Sequence, residues 1–243
     1  MNIKLTVEYD GTNYCGWQTQ PNGRSIQSVL EDAVSTFRGS PTRIIGSGRT
    51  DAGVHALGQV ANFFCDGEFD RHRLLRGLNA LTPPGITVKE AEIVPDAFDA
   101  RRDGRSRLYK YYVLNRSTPS PFHLNRAWHI HDSLDLEAMR EAIGCLSGEH
   151  DFSSFRAAGC DAAHPIRRVY QNSLERRGDL LIYTIEATAF LRHMVRNIVG
   201  TMVEVGRGVR SAESVKELLE ARDRTKAGAT APPYGLFLVK VNY

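Results

Sequence analysis

Gly46-Ser47-Gly48-Arg49-Thr50-Asp51-Ala52-Gly53-Val54-His55-Ala56 stands between two β-like runs, Thr42 to Ile45 and Gln59 to Phe64. Glycines at 46, 48 and 53 open backbone conformations closed to other residues. A tight loop can therefore hold Arg49 and Asp51 close together at its tip. Two readings fit that aspartate. It can bond its own backbone, the usual work of Asp in a Gly-rich turn, or it can be a carboxylate held out for chemistry. Phosphate binding of the P-loop kind fits poorly, because Val54-His55 stands where Lys-Ser/Thr is required. Asp51 and His55 have i, i+4 spacing but no third ligand nearby, so a zinc site is weakly supported.

Outward from the loop, each half of the chain reads as β-α-β-β-α-β. In the first half, Ile3 to Tyr9 alternates as a half-buried strand. Ser25 is placed to cap a helix carrying Ile26, Val29, Leu30, Ala33 and Val34 at helical spacing. Strands are expected near 42–47 and 58–65, a helix near 70–80 ending before Pro83-Pro84-Gly85, and a strand near 86–94. In the second half, strands are expected over Leu108 to Leu114 and in a hairpin, Ile166 to Leu174 with Leu180 to Ala187, turning at Arg177-Gly178-Asp179. Helices are expected near 134–147 and 189–205, with a further one capped by Ser211, and a last strand near 236–242. Two such units without a long linker predict an internally duplicated α+β architecture. Their sheets can join into one larger, mainly antiparallel sheet. The join falls near 95–106, giving halves 1–100 and 101–243.

Composition sets bounds. The 243 residues are 42% hydrophobic, enough for a substantial core, and no apolar run approaches a membrane span. Met1-Asn2-Ile3-Lys4 runs straight into a strand pattern, which predicts no signal peptide. Cysteines 15, 65, 145 and 160 have no paired spacing and fit a reducing cytoplasm better than a disulfide framework or zinc site. The net charge of +3 is not diagnostic, but Arg101, Arg102, Arg105, Arg107 and Lys110 crowd one stretch, and basic pairs recur at Arg167-Arg168 and Arg176-Arg177. Such patches fit an RNA-binding cleft or, equally, a solvated face.

Five segments in order resemble the tRNA pseudouridine synthase I family (TruA). They are Val7-Glu8-Tyr9-Asp10-Gly11 leading to Gly16-Trp17-Gln18, the GRTDAGVH run 48–55, Arg107-Leu108-Tyr109-Lys110-Tyr111, His150-Asp151-Phe152-Ser153-Ser154-Phe155, and His193-Met194-Val195-Arg196-Asn197-Ile198-Val199-Gly200. The similarity runs from Tyr9 to the Gly235-Leu236-Phe237-Leu238-Val239 strand. It implies the pseudouridine synthase fold, two related halves about a central catalytic cleft. It also implies isomerisation of uridine in the anticodon stem-loop, at tRNA positions 38, 39 and 40. A cytoplasmic homodimer needing neither cofactor nor metal is the implied form.

The resemblance assigns roles residue by residue. Asp51 is the catalytic carboxylate, able to attack covalently, to stabilise an oxocarbenium-like sugar, or to take a ribose proton. Arg196, on its own an unremarkable helix-face arginine, is the expected ionic partner of Asp51. Tyr109, on its own a sheet residue, is expected to stack on the uracil and to offer its hydroxyl for proton transfer. Arg49 is expected to support the extruded nucleotide, and Leu236 to line the pocket. Tyr111 is assigned to packing, His55 and His193 are read as satisfied structural histidines, and His150 to Phe155 as loop packing. Trp17 either closes the first unit or touches RNA. After Ala100 the family continues Arg-Phe-Ser-Ala where this chain has Arg101-Arg102-Asp103-Gly104, which leaves RNA contacts there open. The competing functions are a non-catalytic duplicated RNA-binding module and, more weakly, a nucleoside hydrolase.

Overall fold

Ile3, Leu5, Val7 and Tyr9 are all buried on one side of β1 (Asn2–Tyr9), as strict alternation requires. The strand opens a computed structural model that describes residues 1–21 and 23–243. Helix α1 (Ile26–Arg38) starts where Ser25 places it. The Ser25 hydroxyl accepts from the Ser28 amide at 3.1 Å, and the Ser28 hydroxyl accepts from the Ser25 amide at 3.2 Å. This reciprocal pair satisfies two helix-terminal donors. The helix buries Ile26, Val29, Leu30, Ala33 and Val34, and each large aliphatic among them contributes roughly 1.5–3 kcal/mol.

The run expected as a strand near 42–47 forms only β2 (Ile45–Gly46). The reason is that α1 claims the earlier amides: Thr42 N–H donates to Ser35 Oγ at 2.9 Å and Ile44 N–H to Glu31 Oε1 at 3.1 Å. The next strand, β3 (His55–Phe64), begins at His55. Helix α2 (Arg71–Leu81) is capped by Asp70, whose carboxylate accepts from Arg73 N–H at 3.0 Å, and β4 (Ile86–Val94) follows.

The chain continues through β5 (Ser106–Asn115), β6 (Trp128–Ile130), α3 (Leu136–Gly144), β7 (Gly148–Asp151), β8 (Ile166–Arg177), β9 (Leu180–Ala187), α4 (Met194–Gly206), α5 (Ser214–Ala221) and β10 (Leu236–Asn242). Two helix starts differ from expectation. The apolar pattern from Phe190 predicts an earlier start for α4, but His193 takes φ 61° and so stands outside the helix as its cap residue. Ser211 does not cap α5. Glu213 occupies that place with no side-chain cap bond.

The chain divides into two compact units, Met1–Arg105 with Phe237–Tyr243, and Ser106–Leu236. A cut at 100/101 leaves the last strand with the second half, whereas Phe237–Tyr243 belongs with the first. Within the first unit the strand order is β4-β1-β3-β10, with β2 also on β3. Strand β1 runs antiparallel to β3 and β4, and β10 joins β3 in parallel through Phe237↔His55 and Leu238↔Ala56. Within the second unit the order is β5-β9-β8-β7, all antiparallel, with β6 parallel to β5. Each unit is thus a mixed α/β body built on a mainly antiparallel sheet. Among the described residues no helix is long and apolar enough to cross a membrane.

Candidate active site

The loop between β2 and β3 is held from below at Ser47, Gly48 and Thr50. Ser47 N–H donates to Val60 O at 2.8 Å, and the Ser47 hydroxyl donates to Gln59 Oε1 at 2.6 Å. The same amide's Nε2 donates to Gly48 O at 3.1 Å. Thr50 Oγ1 lies 2.8 Å from the Tyr9 hydroxyl, and Thr50 O accepts Trp17 N–H at 3.0 Å. Beyond the tip, Val54 N–H donates to Asp51 O at 3.1 Å, and Gly53 at φ 77° makes the turn possible. Arg49 is exposed and Asp51 half-buried. The turn reading and the chemical reading of Asp51 are compatible, since the backbone carbonyl of Asp51 serves the turn.

Packing explains the remaining small residues. A Cβ on Gly46 would stand 2.4 Å from the Trp17 indole nitrogen, and one on Gly11 would stand 2.1 Å from Val54 O. Trp17 is only 2% exposed, so its ring is part of the loop's floor. Tyr9 is buried too, and burial pushes its phenol well above the ordinary tyrosine value. It stays a neutral hydroxyl, fit to donate or accept beneath the loop. Gly48 differs: nothing lies within 4 Å of where its Cβ would be. Neither space nor a positive φ demands glycine there, contrary to the reading that placed Gly48 with Gly46 and Gly53.

The second unit carries the other three residues. Arg196 is in the first turn of α4, where its Nε donates to Ala231 O at 2.8 Å and its own carbonyl accepts Ala231 N–H at 3.1 Å. The guanidinium is thereby oriented by backbone. Tyr111 on β5 is fully buried and donates its hydroxyl to Pro232 O at 2.8 Å, while Gly235 lies so flat on its ring that a Cβ would be 2.6 Å from Cζ. Residues 231–235 are thus tied to Arg196 at one end and to Tyr111 at the other, and they deliver Leu236, which is buried. Tyr109 sits two residues before Tyr111 on the same strand face and meets Phe190 edge-on, with centroids 5.0 Å apart. Each unit therefore carries its own share: Arg49 and Asp51 lie in the first, Arg196, Tyr109 and Leu236 in the second.

His55 behaves as a structural group. His55 is buried, its Nδ1 accepts Gly11 N–H at 3.1 Å, and its ring stacks on Phe237 at 4.5 Å. His193 supplies the left-handed residue before α4. The 150–155 segment packs, as expected. Phe152 and Phe155 are fully buried, Asp223 N–H donates to Ser154 Oγ at 2.8 Å, and Asn197 Nδ2 donates to Phe155 O at 2.8 Å. Among the described residues no group of three or more His, Cys, Asp and Glu could hold a metal ion. Sequence reasoning missed the loop's supports, Tyr9 and Gln59. The alternation of β1 points Tyr9 inward, and Gln59 is a polar residue in the middle of an apolar strand; both signals were readable.

A family model described as tRNA pseudouridine synthase matches residues 5–103 and 142–243. The chain is 49% identical to the tRNA pseudouridine synthase A of Myxococcus xanthus over 99% of its own length and 91% of that protein's. It is 46% identical to the protein of that name from Citrifermentans bemidjiense, covering 100% and 97%, and 45% identical to that of Thermoanaerobacter pseudethanolicus, covering 100% and 99%.

Proposed function

Because this chain belongs to the tRNA pseudouridine synthase family, we propose that it isomerises uridine to pseudouridine in the anticodon stem-loop of tRNA, at positions 38, 39 and 40, with Asp51 as the catalytic carboxylate. In this reaction the uracil N1–C1′ bond breaks and a C5–C1′ bond forms. The proton on C5 is lost to solvent and N1 gains one, so no electrons are exchanged with a partner. The observation that carries the reading is the loop itself. Its flanking residues are fixed by Gln59, Tyr9 and Trp17, while the Asp51 side chain remains half-buried at the tip. A carboxylate whose support is rigid loses little orientational freedom on meeting a sugar carbon.

The remaining roles follow from the residue types. Arg196, oriented by Ala231, is the ionic partner that directs Asp51. Tyr109, braced by Phe190, is the ring that stacks on the extruded uracil. Arg49, exposed at the loop tip, fills the place the nucleotide vacates or holds its flipped backbone. Leu236 lines the base pocket. The two halves are related, and the protein works in the cytoplasm as a homodimer. Several target positions at different heights imply recognition of shape and phosphates more than bases.

Tritium release from tRNA labelled at uracil C5, together with carbodiimide mapping of the product, tests the reading. Release with an intact base–sugar bond and modification confined to positions 38 to 40 supports it. Free uracil means hydrolysis, and no release means a binding module.

A further inference from the structure

We propose that Gln59 is a positioning residue for Asp51, acting through the backbone of the loop. This rests on the reading of Asp51 as the catalytic carboxylate. Gln59 is fully buried in the middle of β3, where an amide is costly unless satisfied. Its two ends are used differently. Oε1 accepts the Ser47 hydroxyl at 2.6 Å, and Nε2 donates to Gly48 O at 3.1 Å. The Tyr9 hydroxyl lies 3.5 Å from Nε2 and 2.8 Å from Thr50 Oγ1. One amide therefore reads residues 47 and 48 directly and reaches residue 50 through a phenol. Turned over, it would set its oxygen against the Gly48 carbonyl, so the arrangement has one sense.

The consequence is specific to the loop. The contacts of Gln59 and Tyr9 fall on Ser47, Gly48 and Thr50, the residues leading into Asp51. A hydrocarbon in place of the amide removes the bonds that Gln59 makes to the Ser47 hydroxyl and the Gly48 carbonyl, and the loop relaxes. A shift of about 1 Å in a reacting group costs roughly 100-fold in rate. Binding of tRNA depends on a wide phosphate surface and not on this one amide.

The test compares Gln59→Met, Tyr9→Phe and Ser47→Ala with wild type, measuring single-turnover rate, tRNA Kd and Tm, with rates normalised to tRNA-binding-competent protein. Asp51→Asn runs alongside. We expect Gln59→Met to lose roughly 100-fold and Tyr9→Phe roughly 10-fold in rate, with Kd unchanged. Wild-type rate per competent molecule in Gln59→Met, with only Tm lowered, overturns the proposal. If Gln59→Met does not fold, the same criterion applies to Tyr9→Phe and Ser47→Ala. Should Asp51→Asn keep its activity, the underlying reading fails, and this proposal with it. If Asp51→Asn is dead while the other variants keep their rate, the positioning role alone fails.

Discussion

Gly16→Ala probes a close backbone contact beneath the candidate carboxylate. Gly16 has φ 100°, and a Cβ there would lie 2.6 Å from Thr50 O, 3.2 Å from the Asp51 carbonyl carbon and 3.2 Å from Ala52 N. It would touch the backbone on both sides of Asp51 at once. Real Cβ contacts stay beyond 3.0 Å, so Thr50 O must retreat by about 0.4 Å or more. That carbonyl is also the acceptor for Trp17 N–H at 3.0 Å, so retreat weakens a bond made by the very next residue. Left-handed backbone strain costs roughly 1–2 kcal/mol, and a weakened buried hydrogen bond roughly 1–3 kcal/mol. A loss of about 3 kcal/mol lowers Tm by roughly 6–12 °C in a chain of this size. The folded fraction should also turn over roughly 10- to 100-fold more slowly, since the displaced carbonyl belongs to the residue before Asp51. Thermal melting and single-turnover tritium release on the same preparation read both quantities. A variant with wild-type Tm and wild-type rate refutes the claim that Gly16 and Trp17 support the loop from below.

Other outcomes follow from single features. Gly48→Ala should change Tm by no more than about 1–2 °C, because nothing stands near its Cβ; activity lost at unchanged Tm would then show that a nucleotide approaches this residue. Ser25→Ala removes one half of the capping pair of α1 and should cost about 1 kcal/mol in chemical denaturation. Burial raises the Cys160 thiol, but the amide hydrogens of Arg192 and Ala162 and the charges of Arg156 and Arg167 outweigh it, so its pKa is lowered; burial raises that of Cys145. A lowered pKa means more thiolate at neutral pH. Iodoacetamide should therefore modify Cys160 before Cys145 in peptide mass spectra, and the reverse order would contradict the environments described for the two thiols.

What the sequence disclosed was local. The Ser25 cap, the inward alternation of β1 and the turn at Gly178 are each set by neighbours within a few residues, and so α1, β1 and the β8–β9 hairpin stand where their patterns put them. The departures have distant causes. Strand β3 starts at His55 because Phe237 and Leu238, from the far end of the chain, pair with its first residues. Thr42 and Ile44 leave the strand pattern because side chains of α1 bind their amides. Helix α4 starts at Met194 because one residue, His193, adopts a left-handed conformation that apolar periodicity does not register. Asp51 and Arg49 were visible as an acid and a base in a Gly-rich turn. Tyr9 and Gln59 each left a signal, an inward aromatic and a polar residue in an apolar strand, but their meeting lies across two strands and local pattern does not show it. Trp17, open between packing and RNA contact on sequence grounds, is a buried member of that floor.

The most direct test of the account is tritium release from uracil-C5-labelled tRNA by Asp51→Asn, measured beside its tRNA affinity. The account predicts binding equal to wild type and no release. Release at the wild-type rate by a correctly folded Asp51→Asn protein would contradict it.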